Sequence, residues 1–361
     1  MVALLLAILI IFPAQPGQAQ AFSKKQLGRR ALQTIVDNLK SDDSEVRGLA
    51  AEMLGEAGNK AAEGMLKTML EDQDKYVRIA ASRALWKLGS PDGLKVVLGI
   101  INDAPAQGPA GGSPLAVLKM ISQNKVREKA IEIYAWMKGE NSADFLYKLK
   151  TDAYGPIRDA AARELARLGR DEELVQFTEA LGAEDEAIRY ESASTLSKIC
   201  HPGAVEPLAK LLAAEKSVRV SMAALDALKC TSSKDETAPE LIRLADDLNP
   251  TIKYKAVAAL SGIKDDRVKD KLAALASGTT DIRIKITAQK GLMLSGAPAD
   301  MEIARNAMSA ASPDIRMEAI EVAAAFGDAD AFPLLAQALD DPDMKVKLAG
   351  ALQALRRTTK K

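Results

Sequence analysis

The sequence predicts an all-α fold built by stacking helix pairs, and three observations carry the expectation. Residues 76–89, YVRIAASRALWKLG, place Val77, Ala80, Ala81, Ala84, Leu85 and Leu88 at the spacings that fill one face of an α-helix. The pattern reopens at residues 46, 77, 126, 157, 188, 220, 252, 284, 315 and 346, a step of 31 or 32 residues except for the 49 between 77 and 126. Aromatic residues are only 4% of a chain that is 48% hydrophobic, which suits alanine- and leucine-packed helices better than a sheet core. A helix whose alanines invite close neighbours cannot bury that face alone, so a fixed period of such helices reads as a repeat architecture.

Each repeat supplies two helices, and the second carries the pattern. Val46-Arg47 leads into Ala50, Met53 and Leu54; Val126-Arg127 into Ala130, Ile133 and Tyr134; Ile157-Arg158 into Ala161 and Leu165. Ile188-Arg189 leads into Ser192, Thr195 and Leu196, Ile252-Lys253 into Ala256, Ala259 and Leu260, and Ile315-Arg316 into Ala319, Val322 and Ala323. Val346-Lys347 opens a looser last copy. In two repeats the register must be chosen, because Val218-Arg219 and Ile282-Arg283 look like the opening but leave the next alanines out of step. Starting at Val220 and Ile284 restores them. A shorter amphipathic segment precedes each copy, as at 31–39, 62–70, 204–212 and 331–339. Between the two helices lie turns such as Ser41-Asp42-Asp43, Asp72-Gln73-Asp74 and Asp341-Pro342-Asp343, which combine stop and N-cap signals. Gly89 follows its helix as a C′ glycine does.

Two stretches depart from the period. Residues 2–12 are an unbroken apolar run, followed by Pro13, Pro16, Gly17 and then Ala19-Gln20-Ala21. This predicts a signal peptide over 1–21, with an A-x-A cleavage site and a mature chain 22–361 forming one stack. The run is shorter than the roughly 20 apolar residues a membrane span needs. No Lys or Arg follows Met1, so the charge such signals carry at their start is missing. The second departure is in the third repeat, where 102–114 reads NDAPAQGPAGGSP, a Pro/Gly-rich loop insertion with 115–121 as a short extra helix. A tolerated insertion and an arm over one rim both fit it.

The frame DKYVRIAASRALWKLG, with the turn and helix start CHPGAVEPL at 200–208, resembles HEAT repeats of the bacterial phycobilin-lyase-like class. The resemblance covers about 22–357. It implies a right-handed α-solenoid of about ten helix pairs, first helices on the convex face and second helices on the concave one. It implies little about activity.

Chemistry-bearing patterns are sparse. Lys+Arg and Asp+Glu both total 49, so there is no basic excess to suggest nucleic acid as a partner. One histidine, His201, leaves nothing for multi-histidine metal centres, and beside Cys200 it is badly placed for a Cys/His nucleophile pair. No phosphate-binding glycine motif is present. No catalytic residue, metal or cofactor is expected. Cys200 and Cys230, the only cysteines, fall in adjacent repeats. Export would permit a disulfide between them. Parallel helices roughly 8–10 Å apart fit two buried thiols better than a bridge needing Cα atoms about 4.4–6.8 Å apart, and both readings stay open.

Two rows along the second helices remain. The position after each opening is Arg47, Arg78, Arg127, Arg158, Arg189, Lys253, Lys285, Arg316 and Lys347, interrupted by Ser221. It is expected to form a structural ladder of ion pairs and capping bonds between repeats, as the family resemblance also implies. One residue further on, Gly48, Ile79, Glu128 and Asp159 give way to Tyr190, Met222, Tyr254, Ile286, Met317 and Leu348, with Trp86, Trp136, Met293 and Leu355 nearby. Pointing almost away from the buried face, this row is expected to line the concave groove and bind an apolar segment. The competing reading is that curvature buries it between neighbours. The function expected is an exported, non-catalytic scaffold that binds a protein or peptide along the groove. The alternatives are an accessory or lyase-type factor for a chromophore or prosthetic group, and a purely architectural envelope protein.

Overall fold

The computed structural model describes residues 23–105, 113–231 and 235–359. The expected signal peptide over 1–21 and residues 106–112 of the insertion lie outside them. The described residues form ten helix pairs and no strand. They are α1 (Lys24–Asn38) with α2 (Ser44–Ala57), α3 (Glu63–Thr68) with α4 (Lys75–Lys87), α5 (Leu94–Asn102) with α6 (Pro114–Lys138), and α7 (Ala143–Leu149) with α8 (Gly155–Arg167). Next come α9 (Asp171–Glu179) with α10 (Glu186–Ile199), α11 (Val205–Ala214) with α12 (Val218–Cys230), and α13 (Ala238–Leu244) with α14 (Pro250–Leu260). The last three pairs are α15 (Asp266–Gly278) with α16 (Ile282–Leu294), α17 (Met301–Ala307) with α18 (Pro313–Ala323), and α19 (Asp328–Leu339) with α20 (Met344–Thr359).

The turns start the second helices as their residues require. Asp43, Asp74, Asp185, Asn249 and Asp281 each cap one, accepting a hydrogen bond from a backbone N–H of its first turn. Gly89 closes α4 at φ +86°, a left-handed conformation that costs glycine nothing. The expected core face of α4 is buried at all six positions. Val220 and Ile284 are buried, while Val218 is exposed and Ile282 only half-buried, which favours the chosen register in both repeats.

The stack closes on itself. Each second helix touches the next from α2 to α20, and α20 then packs against α2 and along α1. Leu27, Ala31 and Ile35 of α1 share one continuous core with Leu348, Ala351 and Leu355 of α20. Ion pairs cross the same seam: Lys345 Nζ lies 2.8 Å from Glu45 Oε1, Arg356 Nη2 lies 2.8 Å from Glu56 Oε2, and Arg30 pairs with Asp340. The end of the chain thereby covers the apolar flank that the first repeat of an open stack leaves bare.

Three expectations are corrected. Ile188, read as a core position, is 48% exposed. The contact between α8 and α10 is thin, and one core cluster ends and another begins there, so Ile188 has little to cover it. Residues 115–121 are not a separate helix; they lengthen α6 to 25 residues. This overhang leaves Leu115, Val117, Leu118 and Ile121 exposed. Ile79, expected to point away from the core, is buried against the third repeat.

Candidate binding surface on the inner face of the ring

The second helices form the inside of the ring. Met317 of α18 and Lys129 of α6 are not on neighbouring helices, yet they line one pocket, of about 600 Å3, with residues of α20, α2 and α4 between them. Its walls are mainly apolar, from Leu49, Met53, Ile79, Ile133, Met317 and Ala349. Gly48 leaves it room: a Cβ there would meet only the Ala80 Cβ, at 3.8 Å. The charges at the walls are matched. Glu45 pairs with Lys345, Lys129 Nζ lies 2.9 Å from Glu132 Oε1 of its own helix, and Glu52 lies 3.9 Å from Arg83.

Across the ring the inner surface is aromatic and cationic. The Arg219 guanidinium stacks on the Tyr190 ring at 3.6 Å to the centroid, and Arg283 stacks on Tyr254 at the same distance. Each arginine reaches back from the following second helix, so the motif repeats two pairs apart with half-buried Met222 between. The Tyr254 hydroxyl donates to Glu318 Oε1 at 3.3 Å, and Thr287 donates to Glu318 Oε2 at 2.6 Å. Burial raises the Tyr254 hydroxyl pKa above the usual value, with the Glu318 charge adding to the shift.

The family model described as HEAT repeats matches residues 32–108 and 142–229. These stretches are HEAT repeats. The remaining pairs keep the same period and the same neighbour contacts, so the described residues form an all-α solenoid. No curated protein matches the sequence. Among solved structures, the chain is similar to the CpcE–CpcF complex of phycocyanin lyase from Nostoc sp. PCC7120, at 16% identity and TM-score 0.32 over 96% of this chain and 99% of that one. The E. coli protein YibA is 17% identical, with TM-score 0.35 over 72% of this chain and 96% of that one. Kap121p bound to the extreme C-terminus of the protein phosphatase Cdc14p is 14% identical, with TM-score 0.36 over 90% of this chain and 41% of that one.

The HEAT frame also sorts the expected site residues. Tyr190, Met222, Tyr254 and Met317 are half-buried on the inner face, as are Trp86 and Met293. Ile286 and Leu348 are fully buried and line no groove, and Leu355 is buried with them. The continuous apolar ridge expected from the sequence is therefore broken, because in a closed ring the second helices crowd together and cover part of that row. Trp136 stays exposed beside Arg83, whose guanidinium lies 5.0 Å from the indole. The arginines stacked on Tyr190 and Tyr254 were not singled out for a site; Arg219 and Arg283 belong to the dipeptides set aside in choosing the register.

The ladder forms at four of the arginines, each with an acidic residue 25 or 26 positions on. Arg47 grips Asp72, Arg127 pairs with Asp152, Arg189 with Glu215 and Arg316 with Asp341, at 2.7–2.8 Å. Arg47, Arg189 and Arg316 also use Nη1 to bond two carbonyls of their own turn. Among the described residues Arg158 bonds only the Asp152 carbonyl and the buried Arg78 Nε has no hydrogen-bond partner, Asp103 pairing with Lys75 instead. Lys253, Lys285 and Lys347 form no ion pair within 4.0 Å among the described residues. A lysine offers one ammonium where the arginine fork reaches carboxylate and carbonyls together.

Cys200 and Cys230 are joined as a disulfide, with Cα atoms 5.3 Å apart. Spacing between helix axes does not apply to Cys200, because it lies beyond the end of α10 as a left-handed cap at φ 56°. His201 is a turn residue: its Nδ1 accepts from the Gly203 N–H at 3.1 Å.

Proposed function

We propose that the chain is an exported, non-catalytic scaffold whose HEAT ring binds a protein segment on its inner face. The observation that carries the reading is the pair of arginine–tyrosine stacks, Arg219 on Tyr190 and Arg283 on Tyr254, flanking Met222. Stacked guanidinium groups keep edge N–H donors for carboxylates, while the methionine offers an adaptable apolar contact. A segment mixing acidic and apolar side chains suits this surface. Rigid display by stacked repeats lowers the ordering cost of binding it. Support for export comes from the apolar run and A-x-A motif at the start of the sequence and from a disulfide, which persists in oxidising compartments.

The test is capture from an envelope extract by immobilised protein, with mass spectrometry of what is retained. Arg219→Glu with Arg283→Glu should abolish retention of a specific partner while the circular-dichroism melt stays within a few degrees. Retention unchanged by the double substitution would remove this surface from the reading. An absence of any selectively retained chain would favour an architectural role.

A further inference from the structure

The pocket between Met317 and Lys129 lies on the opposite side of the ring from the arginine–tyrosine stacks and asks for a different occupant. We propose that it is a binding site for a neutral, predominantly apolar small molecule. Its volume of about 600 Å3 falls within the range of small-molecule sites, and its depth is set by five second helices. An extended polypeptide would bring backbone N–H and C=O groups to walls that offer few hydrogen-bond partners, and burying those unpaired is unfavourable. A charged ligand fares no better. Glu45, Lys129 and Glu52 already face Lys345, Glu132 and Arg83, so no uncompensated charge waits for an ionic head. The pocket retains apolar contact from Met53, Ile133 and Met317, with polar groups at the margin to orient one hydroxyl, carbonyl or amine.

The pocket also spans the seam. Gly48 and Met53 come from the first repeat, Met317 and Ala349 from the last two, so the site exists only in the closed ring. A ligand there binds both chain ends at once and favours closure by mass action.

The experiment uses the full mature chain and the neutral fluorophore N-phenyl-1-naphthylamine. Saturable emission enhancement is expected with one site per chain, together with a rise in the melting midpoint. Gly48→Phe and Ala349→Phe, made separately, fill the pocket from its two sides, and each should weaken the probe at least tenfold. The anionic analogue 1-anilinonaphthalene-8-sulfonate should bind at least tenfold more weakly than the neutral probe. No saturable binding, equal binding of the sulfonate, or binding unchanged in both variants would overturn the proposal; the last result would put the probe elsewhere, for example on the exposed overhang of α6. Partner capture through Arg219 and Arg283 should survive both phenylalanine variants, so the two sites fail separately. If either variant melts early, the other variant and the wild-type melting shift still decide.

Discussion

Thr358, in the last turn of the chain, rests on Gly28 in the first helix: a Cβ at residue 28 would lie 2.6 Å from the Thr358 Oγ1 and 3.0 Å from its Cβ. The two ends of the sequence approach there as closely as consecutive repeats do elsewhere. Gly28→Ala should therefore destabilise the ring by about 1–2 kcal/mol through overpacking, although alanine is the better helix former. Adding Thr358→Gly removes both close atoms and should recover the loss. Urea midpoints of the single and double variants check it. If Gly28→Ala alone were stabilising, the ends would not meet in solution.

The ladder gives a second prediction. Arg316 meets Asp341 through two bonds, Nε to Oδ2 at 2.7 Å and Nη2 to Oδ1 at 2.8 Å, and both residues are buried. Asp341→Ala should cost about 3–5 kcal/mol, because the guanidinium is left buried without its carboxylate. Arg316→Lys should recover only part of a loss measured for Arg316→Ala, since one ammonium cannot also reach the carbonyls of Ala310 and Ala311. Asp72 adds a pH signature. Its bond from Arg47 holds the carboxyl below its usual range against the cost of burial. The stability it contributes is present above the unfolded value near 3.8 and is lost as pH falls through the lower folded one. Asp72→Asn should flatten the acid limb of a stability–pH curve.

Much of this was legible in the sequence, and what was not has a physical reason. The period, the alanine-bearing faces and the capping turns are local, and Val77, Ala81 and Leu85 are buried as their spacing requires. Closure is not local. It depends on a small rotation between repeats, accumulated over ten pairs, which no single repeat encodes. Ile286 and Leu348 were misplaced for the same reason, since how deeply that row is buried depends on curvature. Ile188 carries the right residue type, but its neighbour α8 stands too far off to cover it. Cys200 was read as one more helical position because a left-handed cap without glycine leaves no compositional mark.

The disulfide yields the third prediction. It joins cysteines 30 residues apart across the repeat boundary between α10 and α12. Reduction should lower stability by about 2–4 kcal/mol, chiefly through freedom regained by the unfolded chain. Cys200→Gly with Cys230→Ser should match the reduced protein, because glycine keeps the left-handed cap that Cys200 adopts at φ 56°. Cys200→Val with Cys230→Ser should be less stable than that, a β-branched residue being poorly suited to the conformation. Urea titrations with and without a phosphine reductant separate these outcomes.

Glu164 gives the last prediction. It stands on α8 near the thin junction with α10 and is 1% exposed, at a position that holds small or apolar residues in most other repeats. Arg167 Nη1 lies 3.0 Å from its Oε2, but neither carboxyl oxygen accepts a well-formed hydrogen bond. Burial pushes its pKa up to about 7, against the pull of Arg167, Arg163 and Lys129 and with the push of Glu132. Because the folded state holds this proton more tightly than the unfolded chain, the contribution is fully present below the unfolded value near 4.5 and is lost as pH rises to about 7. Glu164→Gln should therefore be nearly neutral at pH 4 and stabilising by roughly 1–3 kcal/mol at pH 8. Urea midpoints of both proteins across that range test it. A difference that did not grow with pH would mean that the carboxylate is hydrated, and that water enters the junction between α8 and α10.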